Sequence, residues 1–324
     1  LTDPTDRIVE ELELFSRYGV TTVNSLGDEP PTIRQLRDSQ DVPSLTRARV
    51  AYAGPVITAT TPDEARAAVA ENAAADVNWM KIRVDDNLGT VAKMPWDAVE
   101  ALHDATHERG LRLATHLFYL EDAKRLLRMG TDLVAHSIRD APVDDELIGL
   151  LKETGVCYVP TLTREVSAFV YGDRPGFLDD PFFREGAKQS EVVRVSESAF
   201  MQEMRESRAG ALYREGLTQA LENLKRLSDA GVPIAFGTDA GIPGRFPGYF
   251  EHLELQLMVD AGLTPEQALT SGTRVAASCL QMTDVGTLEA GNWADLLVLG
   301  ANPLEDIAAT KTLEKVFIAG TEIR

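Results

Sequence analysis

The chain has 324 residues, 44% of them hydrophobic and 26% charged, with a formal net charge of -19. That is enough apolar material for a large core, and the acidic balance argues against nucleic acid or an anionic membrane as partner. No run of about 18 apolar residues exists to span a bilayer. No leader is visible; a cytoplasmic setting is favoured, with a secreted one left open because the chain is expected to lack its natural N-terminus. Cys157 and Cys279 lie far apart in apolar contexts. They are expected as buried free thiols, because disulfide frameworks belong to smaller, cysteine-rich chains.

Asp3-Pro4-Thr5-Asp6 reads as a helix start, a cap residue followed by proline in the first turn. Ile8, Leu12, Leu14, Phe15 and Tyr18 form its apolar face and Gly19 its stop. Strands are predicted at 20–26, 48–57, 79–84, around Leu113, around Leu133, at 156–162 and at 232–236. Helices are predicted between them at 31–39, 61–72, 95–109, 121–130, 144–154 and 212–229. Strict strand–helix alternation is the pattern of a parallel α/β sheet or barrel. A (β/α)8 TIM barrel takes about 250 residues. The alternation opens on a helix and supplies seven strands, so a barrel whose first strand would precede Leu1 is expected.

Two stretches depart from the alternation. Residues 171–183 are rich in Gly, Pro, Asp and aromatics and read as an irregular, lid-like loop, either surface elaboration or a cover over the strand ends; 191–207 reads as a charged helix. Beyond the helices at 248–261 and 264–281, residues 286–291, 294–299 and 315–319 read as short strands. The expected division is a barrel over 1–283 and, over 284–324, part of a small β-sandwich that needs further strands to pair with.

Four residues end apolar strands: Lys81, His116, His136 and Asp239. In a barrel that end is where chemistry sits. Two imidazoles and a carboxylate suit a borderline metal such as zinc, and Asp239 among small residues can bind metal or take a proton from water. Lys81 is costly to bury unpaired. It is expected to pair with Asp85 or Asp86, to be a neutral amine, or to be modified into an anionic ligand. Tyr119, Arg139, Thr161 and His252 are candidate substrate contacts. Arg139 could instead pair with Asp140, Asp144 or Asp145, and His252 could be a helix-packing residue. His103 and His107 stand i, i+4 on a peripheral helix and read as surface or packing residues.

The motifs Gly19-Val20-Thr21-Thr22-Val23, Met80-Lys81-Ile82, Thr115-His116, Ala135-His136-Ser137, Gly237-Thr238-Asp239-Ala240-Gly241, Gly286-Thr287-Leu288-Glu289-Ala290-Gly291-Asn292-Trp293-Ala294-Asp295-Leu296 and Asn302-Pro303-Leu304 occur in this order. Together they resemble the amidohydrolase superfamily, in its imidazolonepropionase-like and prolidase-like branch. The resemblance implies a barrel with a small β-sandwich and one or two divalent metals, commonly zinc. A carboxylated Lys81 would bridge the ions, with His116 and His136 on the second metal and Asp239 on the first as general base. It also implies a metal-activated hydroxide cleaving the amide of a dipeptide or N-acyl amino acid, or alternatively a cyclic-amide hydrolase or deaminase. The family's His-x-His pair has no counterpart: the five histidines are His103, His107, His116, His136 and His252. Four of six ligands are thus present, and the missing pair is expected in the region that would carry the first strand. An inactive relative is the remaining alternative. A small-molecule substrate is the expected partner, with homo-oligomers left open.

Overall fold

A computed structural model describes residues 5–324. The helix-start signal at Asp3-Pro4 falls outside them. The first helix, α1 (Thr5–Arg17), buries Ile8, Leu12 and Phe15. It is followed by β1 (Thr22–Asn24), α2 (Ile33–Asp38), β2 (Arg49–Ala51), α3 (Pro62–Ala74), β3 (Trp79–Arg83), α4 (Trp96–His107), β4 (Arg112–His116), α5 (Leu120–Met129), β5 (Leu133–Ala135), α6 (Asp145–Thr154) and β6 (Cys157–Val159). The local signals behave as expected. Thr61 caps α3 by accepting from Glu64 N, with Pro62 in the first turn. Gly130, at φ +94°, closes α5 in the left-handed conformation.

β3, β4, β5 and β6 form a four-stranded parallel sheet in chain order, and β1 pairs parallel with β2. Single parallel bridges extend the order at both sides, Ile57 to Ile82 and Tyr158 to Ile234. The segment predicted as a strand at 232–236 is therefore reduced to one bridge. Two core layers flank the sheet. Ala53, Trp79, Ala114, Leu133 and Ala135 make a small cluster, and the larger cluster packs Met80, Ile82, Leu113 and Val134 against the helices. Side chains alternate between the two faces because the strand period is two.

After β6 come α7 (Leu162–Ser167), α8 (Pro181–Arg184), α9 (Gln189–Ser196), α10 (Ser198–Glu206), α11 (Arg208–Asp229), α12 (Tyr249–Asp260), α13 (Pro265–Thr270) and α14 (Ala276–Leu280). The stretch expected as an irregular lid is instead packed. Tyr171, Leu178 and Phe183 are fully buried in an aromatic cluster with Tyr18, Phe246, Tyr249 and Phe250. The helix predicted at 264–281 is one run interrupted by a π-turn at Ser271–Val275.

The tail differs in detail. Residues 286–291 are not a strand; the antiparallel sheet is β7 (Leu296–Leu299), β8 (Leu313–Ile318) and β9 (Thr321–Glu322). It packs on the start of the chain. Gly19, at φ +86°, leaves room for Leu297 and Leu313, whose methyl carbons would lie 3.0–3.3 Å from an added Cβ. Arg49 of β2 forms a buried ion pair with Asp295, and its guanidinium lies 4.8 Å from the Trp293 ring centroid.

Cys157 and Cys279 were expected as free thiols and are not: they form a disulfide with Cα atoms 6.0 Å apart. A separation of 122 residues concealed the pairing. α14 returns to β6 because Leu280 packs on the Trp79 cluster and Arg112 donates to the carbonyls of Cys279 and Leu280. No described helix is long and apolar enough to cross a membrane.

Candidate active site

Parallel pairing sets the heights of the site residues. Lys81 lies opposite Ala114, and Arg83 opposite His116. Lys81 is thus two residues, roughly 7 Å, deeper than His116, a gap its four-carbon stem can span. His116 lies opposite Ala135, so His136 stands one residue beyond it. The two rings meet edge to face, centroids 4.3 Å apart.

Each imidazole is held by one nitrogen. His116 Nε2 lies 3.0 Å from Asp85 Oδ2, and His136 Nδ1 lies 2.8 Å from Thr161 Oγ1. With Nε2–H donated to Asp85, Nδ1 of His116 keeps its lone pair; Nε2 of His136 is likewise uncommitted. Such outer hydrogen bonds are how a protein orients metal-binding histidines. Burial keeps both rings neutral. It pushes His116 down to about 3 against the opposing pull of Asp85, and His136 well below the usual range, with His116 adding to the effect. Burial also disfavours the charge on Asp85, but its hydrogen bond to His116 and its contact with Arg83 hold the carboxyl well below the ordinary range.

Lys81 is 5% exposed, and among the described residues its ammonium has no hydrogen bond or ion pair. The expected partners are occupied: Asp85 by Arg83 and His116, Asp86 by the Tyr119 hydroxyl at 2.7 Å. Burial pushes Lys81 down to about 8, with Asp239 pulling the other way. The free amine is therefore more accessible at neutral pH than in an exposed lysine.

Asp239 faces arginines. Arg245 donates to its carboxylate, and Arg164 Nε lies 3.4 Å from Oδ2. Burial raises its pKa, yet Arg245, Arg164 and Lys81 outweigh it and keep Asp239 ionised. Arg164 sits in the first turn of α7, which is tied down by the buried Glu254: Leu162 N, Thr163 N and the Thr163 hydroxyl donate to it at 2.7–2.8 Å. Glu251 takes the Thr238 hydroxyl at 2.6 Å, bracing the residue before Asp239.

His136, Thr161 and Asp239 all have positive φ, +75°, +51° and +57°. None is glycine, and for a β-branched threonine this is a true outlier. Strain of this kind persists where surrounding structure over-determines it, typically at functional sites.

The remaining candidates are placed differently. Arg139 is buried with its Nε 3.1 Å from Glu165 Oε2, not with Asp140, Asp144 or Asp145; those carboxylates serve Leu120 N, the α6 cap with Lys124, and Arg226. His252 spends both nitrogens elsewhere, on Tyr18 O at 2.9 Å and Thr310 Oγ1 at 3.0 Å. It is a helix-packing residue here. Tyr119 sits one shell out, under Lys93 Nζ at 3.9 Å from its ring centroid. His103 is buried and His107 pairs with Asp132 at 3.0 Å.

Sequence reading missed Asp85 as an imidazole anchor, and Arg164, Glu165, Arg245, Glu251 and Glu254. The one signal for the last two was a pair of carboxylates inside the apolar run Tyr249-Phe250-Glu251-His252-Leu253-Glu254-Leu255. Among the described residues no three of His, Cys, Asp and Glu gather to hold a metal ion. What converges is two half-committed imidazoles and a buried, unpartnered amine.

The model of the Amidohydrolase family matches residues 12–323. An imidazolonepropionase of Deinococcus deserti is 40% identical over 103 residues, 31% of this chain and 26% of that enzyme. The ochratoxinase of Aspergillus niger is 25% identical over 265 residues, 79% of this chain and 47% of its own. The chain thus matches only a quarter to a half of these curated relatives. The crystal structure of a Xaa-Pro dipeptidase with methionine bound in its active site superposes with a TM-score of 0.75 at 24% identity, covering 97% of this chain and 77% of that one. This likeness is one of fold.

Proposed function

Because the chain belongs to the amidohydrolase family, we propose that it is a metal-dependent hydrolase of a small molecule's amide or peptide-like C–N bond. The observation that carries this reading is Lys81: a buried amine with no partner among the described residues, beside two neutral imidazoles that each keep one free nitrogen. His116, His136, Lys81 as its carbamate, and Asp239 would hold one or two divalent ions, with zinc the natural choice for this donor set. The bound metal supplies a hydroxide nucleophile at neutral pH and polarises the scissile carbonyl.

The chain's own residues do the rest. Free-base Lys81 can attack carbon dioxide through Nζ, forming the N–C bond and losing a proton, and so becomes an anionic ligand. Asp85 and Thr161 fix the imidazole planes. Ionised Asp239 can take a proton from the attacking water at Oδ1, the oxygen that the two arginines leave open, and return it to the leaving nitrogen. The parallel sheet would belong to a (β/α)8 barrel over 1–283, with 284–324 contributing to a small β-sandwich. Favoured substrates are dipeptides and N-acyl amino acids, in keeping with the Xaa-Pro dipeptidase fold. The stretch shared with an imidazolonepropionase keeps a cyclic-amide reaction as second reading.

The test is metal analysis of the purified full chain, followed by a panel of Xaa-Pro dipeptides, N-acyl amino acids and lactams with and without zinc. Folded protein that takes up no zinc and cleaves no member of the panel would sink the reading and leave an inactive relative.

A further inference from the structure

Two carbonyls lie just beyond the candidate imidazoles, Leu117 O after His116 and Ser137 O after His136, and one nitrogen serves both. Arg139 Nη1 donates to Ser137 O and, at 3.4 Å, to Leu117 O. The backbone adds a third link, since Arg139 N donates to Phe118 O at 3.3 Å. The guanidinium carbon lies 4.4 Å from the Phe118 ring centroid, so the planar group also rests on the side chain of the first segment. The Arg139 side chain is fully enclosed.

The segment after His136 is braced from its far side. Ser137 Oγ donates to Pro160 O at 2.8 Å, Ile138 N to the Tyr158 hydroxyl at 2.8 Å, and Asn223 Nδ2 of α11 to Ile138 O at 2.9 Å. The segment after His116 has a longer tether, Leu117 N to Ala135 O at 3.4 Å. Arg139 therefore fastens the less supported segment to the better supported one. If packing alone were needed, apolar side chains of similar volume would join the two at lower cost than a buried charge. Glu165 meets the guanidinium at a different nitrogen, Nε, at 3.1 Å. The counter-charge and the carbonyls thus hold separate edges of the fork, and the carbonyls stay held when the counter-charge is removed.

We propose that Arg139 is a positioning residue for the imidazole pair. By drawing Leu117 O and Ser137 O onto one nitrogen it fixes the spacing of the His116 and His136 rings, whose centroids lie 4.3 Å apart. That this spacing serves a metal rests on the hydrolase reading above; that Arg139 sets it does not.

The first readout needs no metal. In the metal-free full chain, labelled at histidine, the ring protons of His116 and His136 should share a nuclear Overhauser cross-peak. Arg139→Met should abolish it, while the His252 ring, held by Tyr18 O and Thr310 Oγ1, keeps its shifts. Calorimetric titration with zinc is the second readout. The same variant should bind zinc about 10- to 100-fold more weakly, the usual cost of losing a group that orients metal-binding histidines. Arg139→Lys separates charge from clamp. Its ammonium keeps the ion pair with Glu165 and should recover the melting temperature. A shorter point charge cannot bridge both carbonyls, so the cross-peak stays lost and zinc affinity stays low. This variant also carries the test if Arg139→Met fails to fold. An undiminished cross-peak in folded Arg139→Met, or parental zinc affinity in Arg139→Lys, overturns the clamp. A cross-peak present in the parent and lost in both variants, in a chain that binds no zinc, would support the clamp and refute only the metal-dependent reading.

Discussion

The two halves of the mouth are built on opposite plans. On one side His116 and His136 are neutral, each anchored through one nitrogen and open at the other. On the other side Arg164 and Arg245 are fully charged and every carboxylate near them is already engaged. The imidazole half offers lone pairs, and the guanidinium half offers donors. Lys81 is buried in β3, and burial disfavours its charge. The strand register sets only the imidazole half; Arg164 comes from α7 and Arg245 from a loop.

The sharpest way to break this division is at its centre. Lys81→Met is expected to abolish zinc uptake and lower amide hydrolysis by at least about 10⁴-fold, over 5 kcal/mol of transition-state stabilisation. Its melting temperature should hold or rise, because a buried, unpaired ammonium is itself a cost. Metal content and thermal denaturation of the same sample check both parts; a large fall in melting temperature would mean that Lys81 is structural. The next effect concerns the backing of the guanidinium half. Reducing Cys157–Cys279 opens a loop of more than 100 residues and should cost about 4–5 kcal/mol. Hydrogen exchange should then rise first over 157–167, where the disulfide holds β6 and the start of α7, before it rises over 113–118. Ellman titration should find no free thiols before reduction and two afterwards. Within that half, Glu165→Ala leaves Arg139 and Arg164 without their shared anion and should cost about 3–5 kcal/mol in chemical denaturation. It should leave the imidazole geometry, followed by histidine NMR shifts, unchanged.

The two halves also differ in how plainly the chain announces them. His116 and His136 end apolar strands, so a period of two and a helix between them put both on one rim from the sequence alone. Lys81 and Asp239 were expected at strand ends too, yet Lys81 is the third of five residues in β3 and the strand expected before Asp239 is reduced to a single bridge. The guanidinium half was not legible. Arg164 and Glu165 follow β6 in a short helix whose start needs a left-handed Thr161, and nothing local marks that turn. Arg245 comes from a loop, and its partner is fixed by the fold. The disulfide and the Arg49–Asp295 pair join positions more than 100 residues apart, and pairing at that range leaves no trace in periodicity. The aromatic insertion misled for a related reason: its Gly and Pro describe turns, while its burial comes from α12 and β8.

The smallest expected effect comes from α12, the brace behind the guanidinium half. Burial raises both Glu251 and Glu254 to about 7 and lowers His252 to about 4. The signs oppose. Each glutamate binds its proton more tightly folded than unfolded, so its contribution is complete below about 4.5 and is lost as pH rises through 7. His252 binds its proton more weakly when folded, so its contribution is complete above about 6.5 and is lost as pH falls toward 4. Each group can change the folding equilibrium by up to about tenfold per pH unit. Two carboxylates against one imidazole give a net fall in the α12 contribution between pH 5 and 7. Glu254→Gln should flatten that fall, and His252→Gln should steepen it. Denaturant midpoints of the three proteins at pH 5, 6 and 7 measure the slopes. Identical slopes would show that the α12 groups keep ordinary affinities, and that Arg164 is positioned by a brace indifferent to pH.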